Sequence, residues 1–196
     1  MILWINGAFG SGKTTTANEL HRRIPHSFIY DPENIGYFIR KNAPKSMQKD
    51  DFQDHELWRS FNYSMLLSIA KDYSGTVIVP MTIVDEQYFD EIVTRLRTEG
   101  VEVKHYTLAA SRDTLLKRLK RRGDGSGSWP AKQIDRCIAS LSKETFAKQI
   151  ETDQLTIDDT LEIISADANI PLRPDHRGIV KKKLDRLATT IKHIRF

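Results

Sequence analysis

The strongest constraint in this sequence lies near its start, where a short apolar run leads into a glycine-rich loop. Residues 7–14 read GAFGSGKT, which matches the phosphate-binding pattern G-x-x-x-x-G-K-[ST]. The pattern is informative when it joins a strand to a helix, and both flanks fit. Residues 2–6 predict a buried strand, and residues 14–24 have helical periodicity. The sequence therefore predicts an α/β fold of the P-loop class.

The residue types of this loop suit the binding of ATP with Mg²⁺. Glycines let backbone N–H groups converge on the β- and γ-phosphates without an obstructing Cβ. Lys13 adds a positive charge for the same oxygens, and Thr14 offers its hydroxyl as a ligand to Mg²⁺. The predicted nucleotide-binding residues of the loop are Gly7, Ala8, Phe9, Gly10, Ser11, Gly12, Lys13, Thr14 and Thr15.

Further along the chain, short apolar runs alternate with segments of helical periodicity. This alternation predicts a parallel sheet with helices on both faces. We assign residues 1–170 to one domain and residues 171–196 to a C-terminal extension. The remaining strands are predicted at residues 27–30, 76–80, 101–108 and 146–151, and the remaining helices at 52–73, 85–99, 112–122 and 130–141, with a last one capped by Thr156.

The predicted helix 52–73 carries an apolar repeat of four residues, which indicates an amphipathic helix. Arg59 lies in the same helix and is either a ligand for the acceptor substrate or a surface charge. The apolar repeat consists of Leu57, Phe61, Met65, Ile69 and Tyr73.

Composition bounds the location and the partners of the chain. No stretch of the sequence is long and apolar enough to span a membrane, and the N-terminus does not resemble a signal peptide. The single cysteine, Cys137, suits a reducing compartment, so we expect a cytoplasmic protein. The net charge is +4, yet residues 171–196 alone hold eight Lys or Arg against two Asp. The basicity belongs to the extension, so a nucleic-acid-binding core is not expected.

The usual second half of a nucleotide-hydrolysing site is missing. P-loop ATPases and GTPases hold Mg²⁺ through an aspartate that follows a run of apolar residues, but residues 77–82, VIVPMT, contain no carboxylate. The guanine-binding N-K-x-D and the L-S-G-G-Q of transport ATPases are also absent from the sequence. This pattern disfavours motors, switch GTPases and transporters, and leaves the small P-loop kinases. Thr82 or water would then replace the missing metal ligand.

A kinase needs a carboxylate close to the hydroxyl that accepts the phosphoryl group. Strands of a parallel sheet end at one common edge, where ligands bind. Asp31 ends the second predicted strand, so we expect it beside the phosphate-binding loop, as a proton acceptor or as a holder of water around Mg²⁺. The alternative is that Asp31 and Pro32 only form a turn. Glu33 is a second candidate for the same role.

A basic helix and a glycine-rich loop follow the fourth predicted strand. On a helix at about 100° per residue, Arg118 and Arg122 flank the apolar stripe of Leu115, Leu116 and Leu119 and can lean toward a polyphosphate. The loop GDGSGSWP has the composition of a flexible lid, with a span of about 121–136. Arg136 either reaches the phosphates when this lid closes or lies on the surface.

The extension contains an amphipathic helical pattern. Three alternatives remain open for its apolar stripe: packing on the domain, lying on an anionic membrane surface, and self-association. The stripe consists of Val180, Leu184, Leu187, Ile191 and Ile194.

Several segments together resemble the TmrB-type tunicamycin resistance proteins. They are INGAFGSGKT, YDPE, DDFQ, LWRSFNYS, IVPMTIV, WPAKQIDRC, TDQL and HIRF, and they cover essentially the whole chain. The resemblance implies an ATP-binding cytoplasmic protein that acts on tunicamycin, a uridine-containing lipid-linked antibiotic, and that associates with the membrane through its C-terminal segment.

The chain is also similar to nucleoside-monophosphate and antibiotic kinases. That similarity implies a five-stranded parallel sheet in the order 2-3-1-4-5, a catalytic role for Lys13, a pre-lid pair of Arg118 and Arg122, and Asp31 as the acceptor-side carboxylate. We expect an ATP-dependent kinase that phosphorylates a hydroxyl of tunicamycin or a related uridine compound. The alternatives are an ATP-dependent protein that sequesters the drug without turnover, and a nucleotide kinase.

Overall fold

The computed structural model describes residues 1–146 and 148–192, and the side chains of residues 190–192 are not described. Its centre is a five-stranded, all-parallel sheet in the order β2-β3-β1-β4-β5, which confirms the predicted order. The strands are β1 (Ile2–Gly7), β2 (Ser27–Ile29), β3 (Thr76–Pro80), β4 (Val103–Ala109) and β5 (Gln149–Glu151). β1 lies between β3 and β4 and is buried along its whole length. The loop that follows β1 is therefore held at the middle of the sheet edge.

Helices pack on both faces of the sheet, as the alternating pattern predicts. A π-helical turn at Asp90–Thr94 joins the two short helices α4 and α5. The helices are α1 (Lys13–Arg23), α2 (Glu33–Asn42), α3 (Glu56–Asp72), α4 (Glu86–Phe89), α5 (Arg95–Thr98), α6 (Arg112–Arg122), α7 (Trp129–Leu141), α8 (Ile157–Ala168) and α9 (Ile179–Lys192).

The sheet separates two apolar cores. Successive residues of a strand point to opposite faces, so Trp4 packs on one side with residues of α3 and α7, while Leu3 and Ile5 pack on the other. The second core is covered by α1 and α8 through residues such as Leu20 and Ile164. The helices α1, α3, α7 and α8 are thus each held against the sheet by buried apolar side chains.

Local chemistry explains where the helices near the site begin and end. The hydroxyl of Ser111 accepts from the backbone N–H of Thr114 at the start of α6, and Gly123 ends that helix in a left-handed conformation. Ser128 caps α7 in the same way. Thr156 and Asp159 form a complete capping box for α8, which confirms that prediction.

The structure adds one helix that the sequence pattern did not predict. Residues after Asp31–Pro32 form α2 rather than a turn alone. Gly36 lies in the middle of α2, where a Cβ would come within 2.4 Å of the ring of Phe52. The glycine lowers the helical propensity of the segment, but close contact between α2 and Phe52 requires it. Tertiary packing here overrides the local signal.

The helix α3 is confirmed, but its predicted apolar face is wrong at Leu57, Phe61 and Met65; the other two members, Ile69 and Tyr73, pack against the core. Leu57 is 64% exposed and Phe61 45% exposed, whereas Trp58 and Asn62 are fully buried. The buried side also makes hydrogen bonds, because Trp58 Nε1 donates to the carbonyl of Pro32 and the hydroxyl of Tyr30 donates to Asn62 Oδ1. A buried amide is stable only when it is hydrogen-bonded in this way. The spacing of apolar residues in a sequence carries no information about such hydrogen bonds.

The extension docks on the domain chiefly through charged side chains, with Leu172 also packed against the second core. Arg177 pairs with Glu19 of α1 at 2.5 Å and with Asp175 at 2.8 Å, and Arg186 pairs with Asp158 of α8 at 2.7 Å. The apolar side of α9 faces outward, with Ile179, Val180, Leu184 and Leu187 exposed. Packing of the apolar stripe on the domain is therefore wrong for these residues.

Two members of the predicted stripe cannot be placed: the side chain of Ile191 and residue 194 lie outside the described part of the chain. Among the described residues, none of the helices is both apolar and long enough to traverse a bilayer.

Candidate nucleotide and acceptor site

The loop between β1 and α1 has the backbone geometry that phosphate binding requires. Gly7, Gly10 and Gly12 adopt φ values of 144°, 82° and 102°, in the region that favours glycine. A Cβ at Gly7 would lie 2.5 Å from Ser11 Oγ and 2.7 Å from the carbonyl of Leu108. The loop ends at the N-terminus of α1, where unpaired backbone N–H groups favour anions.

Lys13 is held in place by the loop itself. Its Nζ donates to the carbonyl oxygens of Gly7 at 3.0 Å and Ala8 at 3.1 Å. An ammonium group has three donors, so one N–H remains for a phosphate oxygen. Burial lowers the pKa of Lys13 to about 8, and the charge of Glu33 acts against that shift while Arg122 adds to it. A phosphate bound at Lys13 would therefore offset the free energy that burial costs its charged form.

Two side chains fix the first residue of the loop. Asn6 Oδ1 accepts from the backbone N–H groups of Gly7 at 2.8 Å and Ile83 at 3.0 Å. The hydroxyl of Thr82 donates to the carbonyl of Gly7 at 2.8 Å. Thr82 follows β3, where other P-loop proteins carry the metal-binding carboxylate. Here its proton points into the loop and anchors it.

A buried histidine completes the support beneath the loop. Asn6 Nδ2 lies 2.8 Å from the carbonyl of Ile83 and 3.2 Å from His105 Nε2. Because the amide donates, His105 Nε2 must accept and the ring is neutral. Burial lowers the pKa of His105 to about 3, with a further contribution from Arg97, so the ring stays neutral throughout the physiological range.

The edge of the sheet beside the loop carries two carboxylates. Asp31 follows β2, and its Oδ1 accepts from the backbone N–H of Glu33 at 3.0 Å. Glu33 begins α2 and accepts from the hydroxyl of Tyr37 at 3.4 Å. The charge of Glu33 raises the pKa of Lys13 more than any other charge does. Glu33, the second candidate from the sequence, therefore acts electrostatically on the loop lysine.

The two arginines before the lid have different surroundings. Arg118 Nη2 donates to the carbonyl of Thr152 at 2.7 Å, and its Nη1 lies 3.1 Å from Thr152 Oγ1 and 3.4 Å from the carbonyl of Ser11. It thus ties the loop to the segment after β5. Arg122 pairs with Asp124 at 2.6 Å, and its charge reaches Lys13. Of the pair, Arg118 contacts the loop directly, and Arg122 acts on Lys13 through its charge.

The first turns of α7 close over the loop. Phe9 and Trp129 meet edge to face, with ring centroids 5.2 Å apart. The backbone of Phe9 also hydrogen-bonds the buried Cys137. Arg136, two turns further along α7, has its Nη2 3.7 Å from Asp51 Oδ2. It connects α7 to the segment before α3 rather than to the loop.

Arg59 lies away from the loop in a shallow pocket of about 370 Å³ between α3 and the π-helical turn. Its Nε donates to Glu91 at 2.5 Å and its Nη1 donates to the carbonyl of Gln53 at 2.7 Å. Its guanidinium also stacks over the ring of Tyr88. A role for Arg59 in binding an acceptor stays a prediction, since these contacts already satisfy much of its hydrogen-bonding capacity.

Comparison with known proteins agrees with this geometry. A model of the AAA domain family matches residues 2–144. The structure of the tunicamycin resistance protein of Deinococcus radiodurans is 33% identical in sequence, with a TM-score of 0.77, and the match covers 89% of this chain and 98% of that one. The chain belongs to the tunicamycin resistance family. No curated protein sequence matches it.

More distant relatives of this tunicamycin resistance family member share the fold. A sugar kinase of Janibacter sp. is 17% identical with a TM-score of 0.62, and the match covers 86% of this chain and 94% of that one. A gluconokinase of Sinorhizobium meliloti is 16% identical with a TM-score of 0.57, over 84% and 89% of the two chains. These likenesses show a P-loop kinase-like fold.

The residues of the loop fit the nucleotide that such a fold implies. Ser11 Oγ is buried and has no hydrogen-bond partner among the described residues, which leaves it available to a ligand oxygen. Thr14 and Thr15 lie in the first turn of α1, directly behind Lys13. The fit to Mg²⁺ rests on the hydroxyl of Thr14, because β3 is followed by Met81 and Thr82. The roles of these residues as ligands stay predictions.

A second group of carboxylates does not form a metal site in this tunicamycin resistance family member. Oxygens of Glu19, Asp158 and Asp175 lie within 4.8 Å of one another. However, Arg177 and Lys182 fill the space between them. Their positive charges take the place that a cation would need.

Two residues of the site were missed by sequence reasoning. Asn6 is a polar residue inside an otherwise apolar strand, and that break in the pattern was the available signal. Trp129 was quoted only as part of a motif, and nothing in the sequence indicates that it meets Phe9. Phe9 and Trp129 are far apart in the sequence, and only the packing of α7 brings them into contact.

Proposed function

We propose that the protein is an ATP-dependent kinase that transfers a phosphoryl group to a hydroxyl of tunicamycin or a related uridine compound. The observation that carries the proposal is a preset lysine in the loop after β1, with two carboxylates after β2 at the same edge of the sheet, one strand beyond β3. Lys13 is fixed by two loop carbonyls, and Asp31 and Glu33 lie at the same edge of the sheet. The name of the 33% identical relative supports tunicamycin as the acceptor.

The chain supplies each element that a phosphoryl transfer needs. Lys13 and the loop N–H groups hold the terminal phosphate, where charge spreads over its oxygens. The acceptor oxygen forms the new bond to phosphorus as the bond to the leaving ADP breaks. Asp31, or Glu33 beside it, takes the proton from the acceptor hydroxyl. Mg²⁺ at Thr14 would neutralise phosphate charge.

The proposal is tested by mass spectrometry of tunicamycin after incubation with the protein, ATP and Mg²⁺. One added phosphate is the expected product. Asp31→Asn keeps the shape of the side chain but removes its basicity, so we expect ATP binding to persist while transfer falls by about 10²–10⁴-fold. Glu33→Gln is the matched variant: a larger loss there assigns the base to Glu33. Unmodified tunicamycin, with protection only in proportion to the amount of protein, would favour sequestration instead.

We also propose that α9 rests on an anionic membrane surface. Its exposed apolar side chains, Val180, Leu184 and Leu187, form a stripe along one side of the helix. The exposed Lys181 and Lys183 stand beside this stripe. An amphipathic helix with basic flanks binds a bilayer by burying its apolar side and by attracting acidic headgroups. Self-association through the same stripe is the alternative.

A further inference from the structure

The rings of Phe9 and Trp129 meet edge to face beside the phosphate-binding loop. Phe9 occupies the third position of the phosphate-binding loop, and Lys13 Nζ lies 5.6 Å from the centre of its ring. Trp129 contacts the same ring at 5.2 Å. The pair therefore borders the point where Lys13 meets a terminal phosphate, which is also where an acceptor hydroxyl must arrive.

Trp129 begins α7 and remains partly open to solvent. Ile134 and Cys137 of the same helix are buried, whereas Trp129 is 44% exposed. Arg136 follows by seven residues and so lies on nearly the same face of the helix. Its ion pair with Asp51 shows that this face is turned toward the segment before α3.

A carboxylate acts on the same lysine that the aromatic pair borders. Glu33 acts on Lys13 from α2, while Phe9 and Trp129 border the same lysine from the loop and from α7. A kinase acceptor needs its hydroxyl near a base and the rest of its structure on a binding surface. Among these groups the only surface suited to a planar ring is the aromatic one.

We propose that Phe9 and Trp129 form the wall that recognises the acceptor, and that this wall takes a planar heterocycle such as a pyrimidine base. This inference rests on the proposed function, because a uridine compound supplies such a ring next to its sugar hydroxyls. Stacking of a base on an aromatic side chain contributes about 1–3 kcal/mol by alanine substitution. That range corresponds to a loss of affinity of about 5- to 150-fold.

The three tryptophans of the chain make the wall directly observable. Trp4 and Trp58 are fully buried, so acrylamide in solution quenches the fluorescence of Trp129 selectively. In the presence of a non-hydrolysable ATP analogue, saturating tunicamycin or uridine should protect Trp129 from acrylamide. N-acetylglucosamine, which has hydroxyls but no planar ring, should give no protection. Unprotected Trp129 with tunicamycin bound would overturn the proposal.

A variant series separates recognition from a structural role of α7. We expect Trp129→Ala to weaken tunicamycin binding about ten- to a hundredfold, with ATP affinity changed by less than about twofold. Trp129→Phe should restore most of the affinity for tunicamycin. Ile138→Ala, an exposed apolar position on the same helix, is the matched control and should change neither affinity. Equal loss of ATP and tunicamycin binding in Trp129→Ala would mean that the contact only holds α7 in place, and would overturn the wall.

These binding measurements involve no turnover, so they fail independently of the kinase assay. Protection of Trp129 without any phosphorylated tunicamycin supports the wall and overturns the kinase. Phosphorylation of tunicamycin while Trp129 stays fully accessible supports the kinase and overturns the wall.

Discussion

Lys13 combines a buried position with a positive charge. Its ammonium group contacts the loop carbonyls and lies 5.6 Å from the centre of the Phe9 ring, and burial lowers its pKa to about 8. The carbonyls of Gly7 and Ala8 hold it at hydrogen-bond distance, so the charge is positioned before any nucleotide arrives. A positioned donor costs no rearrangement when the ligand binds. The same burial makes the charge sensitive to pH near neutrality.

The pKa of Lys13 predicts a pH dependence of ATP binding. Bound phosphate favours the charged form, so the pKa of Lys13 rises on binding and a proton is taken up above about pH 8. We expect ATP affinity to be constant below pH 7 and to fall toward pH 9, by at most tenfold per pH unit. Calorimetry at pH 8.5 in buffers of different ionisation enthalpy measures this proton uptake. Lys13→Ala should bind ATP weakly and show none of the uptake, and an unchanged proton uptake in that variant would contradict the assignment.

At the scale of elements, α9 is docked with its polar side inward. Arg177 is largely buried and reaches Glu19, Asp175 and Asp185 at once. These pairs hold the pKa of Asp175 well below its ordinary value, chiefly through its hydrogen bonds with Arg177. Stability from a lowered carboxyl pKa is present above the ordinary pKa of Asp and is lost as pH falls toward the lowered value. The contact should thus be strong at neutral pH and weaken only in acid.

This orientation predicts that one of two substitutions in the extension lowers the free energy of unfolding and that the other leaves it nearly unchanged. Arg177→Ala removes the shortest ion pair of the buried Glu19 and leaves it only the longer ones to Arg186 at 3.6 Å and Arg22 at 3.9 Å. We therefore expect the free energy of unfolding to fall by about 1.5–3 kcal/mol, as for a lost hydrogen bond to a charged group. Leu184→Asp changes a side chain that is 60% exposed and should alter stability by less than about 0.5 kcal/mol. Urea unfolding at neutral pH measures both. A large loss in Leu184→Asp with none in Arg177→Ala would mean that the apolar side packs on the domain.

For the whole molecule, the docking of α9 decides which surface is presented to a partner. The helix packs along α1, which begins at the phosphate-binding loop. Its apolar side is exposed while the helix remains docked, so a membrane could bind it without unfolding the extension. The phosphate-binding loop and the proposed membrane-binding surface then belong to the same folded unit.

Vesicle flotation tests this arrangement. Wild-type protein should float with vesicles of phosphatidylserine and phosphatidylcholine, and less so as salt rises, because exposed charges are screened beyond about 10 Å at 0.1 M. The double variant Leu184→Asp, Leu187→Asp should lose flotation yet keep ATP binding. Thr189→Ala, on the more buried side of α9, is the control and should still float with the vesicles. Flotation unaffected by the double variant would exclude this stripe as the membrane contact, and a dimer that the same variant dissociates would favour self-association.

Much of the architecture follows from the sequence because its signals are local. The loop pattern, the strand periodicity and the cap at Thr156 depend on residues within a few positions of one another, and these elements appear in the predicted parts of the chain. The position of Asp31 at the sheet edge also follows, since parallel strands end together.

Other features were decided only by tertiary structure, because they depend on which of two possible faces packs. In α3 the sequence repeat favoured Leu57 and Phe61, yet the buried side is the one whose Trp58 and Asn62 find hydrogen-bond partners. In α9 the side turned toward the domain is the one whose Arg186 meets Asp158 of α8. Apolar periodicity determines that a helix forms, but the side that it buries depends on the partners that distant segments provide for its polar groups.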